Sequence, residues 1–372
     1  MHAEIAGAGF AGLTAAIALR RRGWTVRVHE KDAALRAFGA GIFIWENGLR
    51  VLQAIGAAED VVRGAHQAPV YETRRDGVCV AFQRVNGDNR YRLLTMTRQH
   101  LYAPILASAL REGVEIVTSS EAVGARPEGV LQLLDGRSLQ ADLVIAADGV
   151  RSVVRDSLGL FGTRRKYQDG LIRVLVPRSG LVGGEWDHVI DFWAFTPRTL
   201  RILYTPCEDG MLYFAMMAPR DDATASALPV DPAIWADCFP ALAPALAAIG
   251  PGGRYDVYET THLERWSVGR VAIVGDAAHA MPPTLAQGAG CAMMNALSLA
   301  EAVSNDRDVA ASLQRWEAQE RHLTDHTQAR AAELARTRAL GSGTQWDDAG
   351  MRTALHVPTA TLPEDYARLR FT

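Results

Sequence analysis

Cysteine is scarce in this chain: four residues in 372 (Cys79, Cys207, Cys238 and Cys291), none in a CxxC spacing. A disulfide framework is excluded and no zinc ligand set is offered; scattered thiols suit a reducing cytoplasm, the expected location. No apolar run approaches the about 18–20 residues of a membrane-spanning helix. The start, MHAEIAGAGF, lacks the basic-then-apolar order of a secretion signal. Neither sign of charge dominates: 39 basic against 42 acidic side chains leave a net charge of -3, which argues against a nucleic-acid binder. The one basic run, Arg20-Arg21-Arg22, reads as the cationic last turn of a helix stopped by Gly23. Ser-His-Asp spacing, HExxH and paired His/Cys clusters are all missing, so hydrolase and metal readings have no support.

What is present is ordinary enzyme composition, 48% apolar and 22% charged, in a chain long enough for two domains. Glu4–Ala8 reads as a strand, Gly12–Arg22 as a helix and Thr25–His29 as a second strand: a βαβ unit. Gln67–Asn89 shifts to short, turn-broken strands. Arg98–Glu112 is helical in pattern, and a turn at Asp135-Gly136 joins two strands, the second ending in LVIAADG. From Leu171 to Met217, apolar runs alternate with turn residues, which predicts an antiparallel sheet. Pro229–Leu246 reads as a helix and Ala296–Arg338 as a helical stretch. The tail from Gly341 is expected to be a C-terminal cover.

Three segments carry chemistry. Gly7-Ala8-Gly9-Phe10-Ala11-Gly12 is GxGxxG between a strand and a helix. Gly7 permits the tight turn, Gly9 lets a pyrophosphate approach the backbone, and Gly12 lets helix and strand pack closely. Glu30 ends the next strand, where an acid accepts hydrogen bonds from a ribose diol and favours an adenosine without a 2′-phosphate. The second segment, Asp148-Gly149-Val150-Arg151-Ser152-Val153-Val154-Arg155, would read alone as a turn and a solvated helix face. The third, VAIVGDAAHAMPPTLAQGAGCAMMN (271–295), delivers Asp276 to a strand end, turns at Pro282-Pro283, and opens another helix with a glycine cluster. An acid at a strand end and bare amides at a helix start hold a ligand bearing hydroxyls and partial negative charge. One cofactor is thus gripped from two distant regions, as a flavin dinucleotide requires.

Together, in this order, the three motifs resemble the class A flavoprotein monooxygenases, the p-hydroxybenzoate hydroxylase-like family, over at least residues 3–300. The resemblance implies an α/β fold: a Rossmann-like FAD-binding domain (1–66, 92–165 and 257–300), an inserted β-sheet substrate domain (67–91 and 166–256), and a C-terminal helical region (301–372). It implies bound FAD, NADH or NADPH as transient co-substrate, and hydroxylation of a small aromatic ring through a flavin C4a-hydroperoxide. Partners are then the aromatic substrate, dioxygen and NAD(P)H, with neither nucleic acid nor membrane, in a monomer or homo-oligomer. Gly7, Gly9 and Gly12 would hold the pyrophosphate, Glu30 the adenosine ribose and Asp276 the ribityl chain. Arg98 would reach the cofactor, and Asp148 would serve FAD and the nicotinamide donor indirectly. Gly288, Ala289 and Gly290 would cradle the flavin's pyrimidine edge, in a cluster (AQGAG) that departs from the family's GQGxN at Ala286 and Gly290.

The segments RAFGAGIFIWENGLRVL, DGLIRVLVPR, GEWDHVIDFW and RILYTPC resemble the hydroxypyridine-carboxylate branch of the family, in which hydroxylation is followed by ring opening. Carried over, Arg201, Tyr213 and Tyr71 contact and orient the substrate, and Pro283 lies near the reacting face of the flavin. Phe43 replaces a tyrosine of that branch. An arginine pairs with a carboxylate or phenolate, and tyrosines donate hydrogen bonds while covering a ring. Each has a plainer reading: Tyr213 as core, Arg201 in an ordinary salt bridge. His279 is expected to order the turn beside the flavin. The alternatives in function are an FAD-dependent dehydrogenase or reductase and a non-catalytic flavin-binding sensor.

Overall fold

The computed structural model describes residues 1–35, 40–87, 92–160 and 162–338. The tail expected as a cover therefore lies outside the described residues. The chain opens with β1 (His2–Ala6), α1 (Phe10–Arg20), β2 (Thr25–His29), β3 (Gly41–Trp45), α2 (Glu46–Ala54), α3 (Ala58–Val62), β4 (Val70–Arg75), β5 (Val78–Arg84), β6 (Leu93–Thr97) and α4 (Arg98–Arg111). Next come β7 (Glu115–Val117), β8 (Ala122–Arg126), β9 (Val130–Leu133), β10 (Ser138–Gln140), β11 (Leu143–Ala146), α5 (Val153–Ser157), β12 (Gly162–Pro177), β13 (Val189–Ala194), β14 (Leu200–Pro206) and β15 (Met211–Pro219). The chain continues through α6 (Pro232–Cys238), α7 (Ala243–Leu246), β16 (Tyr255–Leu263), β17 (Ser267–Val268), β18 (Val271–Ile273), α8 (Asp276–His279), α9 (Gly288–Ser304) and α10 (Val309–Thr337).

Two large sheets organise these elements. The first runs β17-β18-β11-β1-β2-β7 and is parallel except at the β17 edge. Its central strands β11 (LVIA) and β18 (VAI) are continuous apolar runs, buried on both faces. Helix α1 (FAGLTAAIALR) is small and apolar, buried from Ala11 to Leu19, and packs against α9. Its chain turns away through Gly23, whose φ of +82° a side chain rarely adopts.

The second sheet runs β16-β12-β15-β14-β13-β4-β5, antiparallel except for the parallel pair β13 and β4. Its central strands β13, β14 and β15 are buried on both faces, and alternation along each strand sorts the side chains. Ile202, Tyr204, Leu212, Phe214 and Met216 pack with α6 and α7 in one core. Leu203, Tyr213, Ala215 and Met217 turn the other way, toward Phe43 and Trp45 of β3. That second face is the one that meets the parallel-sheet layer.

One helical expectation needs correction. Pro229–Leu246 is not one helix: α6 starts with Pro232 behind the Asp231 cap and ends at Cys238, and Pro240 and Pro244 open a 3-10 turn and α7. Proline lacks the amide a continuous helix would need there. Ala296–Arg338 is helical as expected, shared between two helices: α9 begins at the glycine cluster, at Gly288, and ends at Ser304. Asp308 then starts α10 by accepting a hydrogen bond from Ala311 N at 3.1 Å.

Candidate active site

Two cavities of about 330 Å³ each share Gly9, Phe10, Arg98, Ala147 and Gly149, so they form one elongated cleft across the end of the parallel sheet. The first half is lined by Gly7, Gly9, Glu30, Asp148 and Arg151. Gly7 has φ +100°, and a Cβ there would lie 2.4 Å from Ala147 O; a Cβ on Gly12 would lie 2.0 Å from Gly7 O. Gly9 has no atom within 4 Å of where its Cβ would be, and its backbone faces the open cleft. The Glu30 carboxylate is seated at the strand end by Ala8 N (2.9 Å) and Asp32 N (3.1 Å). This half fits an adenosine diphosphate moiety: open backbone for the pyrophosphate, and an acid for the ribose.

Asp148 accepts from Val154 N at 3.3 Å, while its Oδ1 is buried without a partner among the described residues. Burial pushes its carboxyl up from the usual range, and hydrogen bonds from Ser152 and Val154 pull it back. The arginine four residues past Arg151 is no solvated face. Arg155 is 2% exposed, and it donates to Val150 O (3.2 Å), Ala277 O (3.1 Å) and Asp156 Oδ1 (2.8 Å). It thereby stitches the DGxxSxxR segment to α8, the element that starts with Asp276.

The second half of the cleft is lined by Arg98, Arg173, Arg201, Tyr213, Tyr258, Asp276, Pro283, Gly288 and Ala289, with Phe43, Leu171 and Leu203 as apolar wall. Asp276 opens into the cleft; the surrounding protein pushes its carboxyl up, and Arg98 and Arg173 draw it back down. Arg98 sits over the Phe10 ring at 5.0 Å, with its Nε buried and unpartnered among the described residues. Burial keeps the Tyr213 phenol above its ordinary range and pushes Tyr258 up to about 12, so both are neutral donors near pH 7. The Tyr258 hydroxyl has no hydrogen-bond partner among the described residues.

Arg201 and Tyr213 do share the cavity, as the alternation of β14 and β15 requires. The arginine's anionic partner, however, belongs to the chain. Asp191 of β13 takes two hydrogen bonds from Arg201, at 2.6 and 3.2 Å, and one from Trp193 Nε1 at 3.0 Å. Burial alone would lower the guanidinium pKa; Asp191 outweighs it and raises it. The plainer salt-bridge reading of Arg201 is therefore realised, although the side chain still faces the cavity. Tyr71, opposite Val189 in β13, is electrostatically coupled to Arg201 but does not line the cavity.

Gly288 and Ala289 line the cavity, while Gly290 faces Asn47 instead. His279 does not line it. It lies 2% exposed behind it against Trp266, takes a hydrogen bond from Asn295 Nδ2 at 3.1 Å, and is pushed down to about 4 by burial. The imidazole is held by Asn295, away from the lining of the cleft. Arg173 and Tyr258 went unrecognised in the sequence. A signal for Arg173 was there: a lone arginine inside the apolar run LIRVLVP.

The FAD binding domain family matches residues 1–337. The chain is 43% identical over 321 residues to 2-heptyl-3-hydroxy-4(1H)-quinolone synthase of Mycobacteroides abscessus, covering 85% of each chain. It is 32% identical over 305 residues to 3-amino-4-hydroxybenzoate 2-monooxygenase of Streptomyces cremeus, covering 79% of this chain and 76% of that one. The solved tetrameric form of 2-methyl-3-hydroxypyridine-5-carboxylic acid oxygenase superimposes with a TM-score of 0.87 at 47% identity, covering 96% and 94%. The protein belongs to the FAD-binding-domain family of class A flavin monooxygenases. It is an FAD-dependent aromatic hydroxylase in that family. No helix among the described residues is long and apolar enough to cross a membrane.

Proposed function

We propose that the protein uses NAD(P)H and dioxygen to hydroxylate a hydroxylated nitrogen heteroaromatic ring, with a hydroxypyridine carboxylate as the first candidate. The observation that carries this reading is the second half of the cleft. There Arg201, Tyr213, Arg173 and Tyr258 converge from the β-sheet toward Pro283 and the Gly288–Ala289 amides. The structural likeness to the hydroxypyridine carboxylate oxygenase supports it. Bound FAD supplies hydride acceptance and dioxygen activation; the protein supplies position, dryness and charge.

Gly7, Gly9, Glu30 and Asp276 would hold the cofactor, with Arg98 beside Asp276 and Asp148 bracing the loop behind. Tyr213 and Tyr258 stay protonated and donate to a ring oxygen. Arg201, locked by Asp191, contributes a fixed dipole of known direction rather than a loose charge. Phe43, Leu171 and Leu203 exclude water from the reacting carbon, and Pro283 holds the loop that faces it. Among the described residues, Asp276 is the one carboxylate that lines this cavity, beside the cofactor half, and no histidine lines it. A substrate whose ring hydroxyl is already ionised near neutral pH needs no general base.

One observation favours a second substrate, a quinolone. Arg201 is neutralised by Asp191, and Arg173 donates to Asp256 at 2.9 Å, so neither guanidinium is held in reserve for a carboxylate. The quinolone synthase relatives accord with a ring lacking one. Substrate-stimulated NADH oxidation, with product mass, decides between them. Stimulation by hydroxypyridine carboxylates supports the first reading, and stimulation by 4-quinolones alone supports the second. Peroxide without organic product across both classes contradicts the heteroaromatic assignment. With the first class, a product gaining oxygen from both dioxygen and water shows ring opening after hydroxylation.

A further inference from the structure

The first turn of α9 is held by a residue of α2, the helix packed against it. Asn47, the second residue of α2, is fully buried and donates from Nδ2 to Gln287 Oε1 at 2.9 Å; its own Oδ1 accepts from Gly48 N at 2.8 Å. Gln287 is the residue before Gly288 at the start of α9, and it is 2% exposed. Its Nε2 is buried with no hydrogen-bond partner among the described residues. A buried amide donor left unpaired is costly, so its persistence needs a reason. Immediately before it, Ala286 sits at φ +53°, a left-handed conformation that alanine avoids. Immediately after it, Gly288 and Ala289 face the cleft.

Asn47 also explains why position 290 carries no side chain. A Cβ on Gly290 would lie 2.8 Å from Asn47 Nδ2, 3.0 Å from Gln287 Oε1 and 3.2 Å from Asn47 Oδ1. The carboxamide of Asn47 thus stands where a residue-290 side chain would have to begin. The same α2 follows directly on β3, whose Gly41, Ile42 and Phe43 also line the cleft. One hydrogen bond therefore ties the start of α9 to the helix that continues β3.

We propose that Asn47 is a positioning residue for the flavin. By engaging Gln287 Oε1 it fixes the 286–289 turn and with it the Gly288 and Ala289 backbone that lines the cleft. Such a donor-rich turn suits the electron-rich carbonyl edge of a flavin, which gains negative charge on reduction. The inference rests on the family's FAD and is independent of which ring is hydroxylated.

The test measures FAD affinity by flavin fluorescence, the flavin absorption spectrum, and the midpoint potential in Asn47→Ala, in Gly290→Asn and in the double variant. The thermal unfolding of each apoprotein is recorded alongside. Asn47→Ala should weaken FAD binding by about tenfold or more, shift the flavin bands and lower the potential, in addition to the lower apoprotein melting that an unpaired Gln287 Oε1 brings. Gly290→Asn should weaken binding by crowding Asn47. Combining the two relieves the crowding and returns an amide to the same space, so the double variant should bind FAD better than either single variant. Should Asn47→Ala fail to fold, Asn47→Ser is measured in its place, with the same expectation for affinity and spectrum. Wild-type affinity and spectrum in the Asn47 variant would overturn the proposal. So would a double variant no better than the worse single one, or a variant that loses apoprotein stability while its bound flavin keeps the native spectrum and potential.

Discussion

At the scale of single residues, several side chains carry charges or conformations they could not hold without a particular neighbour. Arg201 is 6% exposed and Asp191 8%, and each neutralises the other. Asp191→Ala leaves a buried guanidinium unpaired and should destabilise the protein by about 3–5 kcal/mol in denaturant unfolding. Ala286 is the opposite case, a residue under strain: Ala286→Gly should raise the unfolding free energy by about 1 kcal/mol, seen as a higher Tm. His279 gives a pH dependence whose sign follows from burial. Its pKa falls to about 4 in the folded chain from an ordinary 6.5, so the unfolded chain binds the extra proton between those values. Stability should therefore be full above pH 6.5 and fall by about 1.5 kcal/mol from pH 6.5 to 5 on this account. Unfolding curves of His279→Gln over that range should show the slope reduced; an unchanged slope would remove His279 from the explanation.

At the scale of elements, what was legible in the sequence is what depends on neighbours along the chain. The opening βαβ unit was readable because GAGFAG sits between an apolar strand and an alanine-rich helix. The apolar runs RILYTP and MLYFAMM likewise marked β14 and β15 as strands, though runs apolar at nearly every position gave no sign of which face each residue takes. The start of α9 at the glycine cluster was also readable, although Gly288-Ala289-Gly290 has poor helix propensity; an open backbone is what lets this turn present amides. Asp191 as the partner of Arg201 was hidden because it depends on the register of β13 against β14, which pairs Trp193 with Arg201. Arg155 was underrated for the same reason; its acceptor, Ala277 O, lies far along the chain in α8. Arg155→Lys keeps the charge but not the fork of donors. It should weaken FAD binding by about tenfold, read from flavin release, while leaving the Asp191–Arg201 pair and its stability contribution intact.

At the scale of the molecule, the cleft exists because two sheets of different construction meet. The parallel sheet ends in loops with open backbone and a few acids, which suit a dinucleotide. The antiparallel sheet turns arginines and phenols from one face of its strands toward the same space. Neither layer forms the whole cleft: Gly9, Gly149 and Asp276 come from one, and Arg173, Arg201, Tyr213 and Tyr258 from the other. The account's central claim is that this junction brings activated oxygen to an aromatic carbon. Turnover with NADH, an active heteroaromatic substrate and 18O-labelled dioxygen, followed by mass spectrometry of the product, tests it most directly. One labelled oxygen atom in each product molecule is the expected result. Product whose new oxygen comes only from water, or turnover that proceeds equally well without dioxygen, would contradict it.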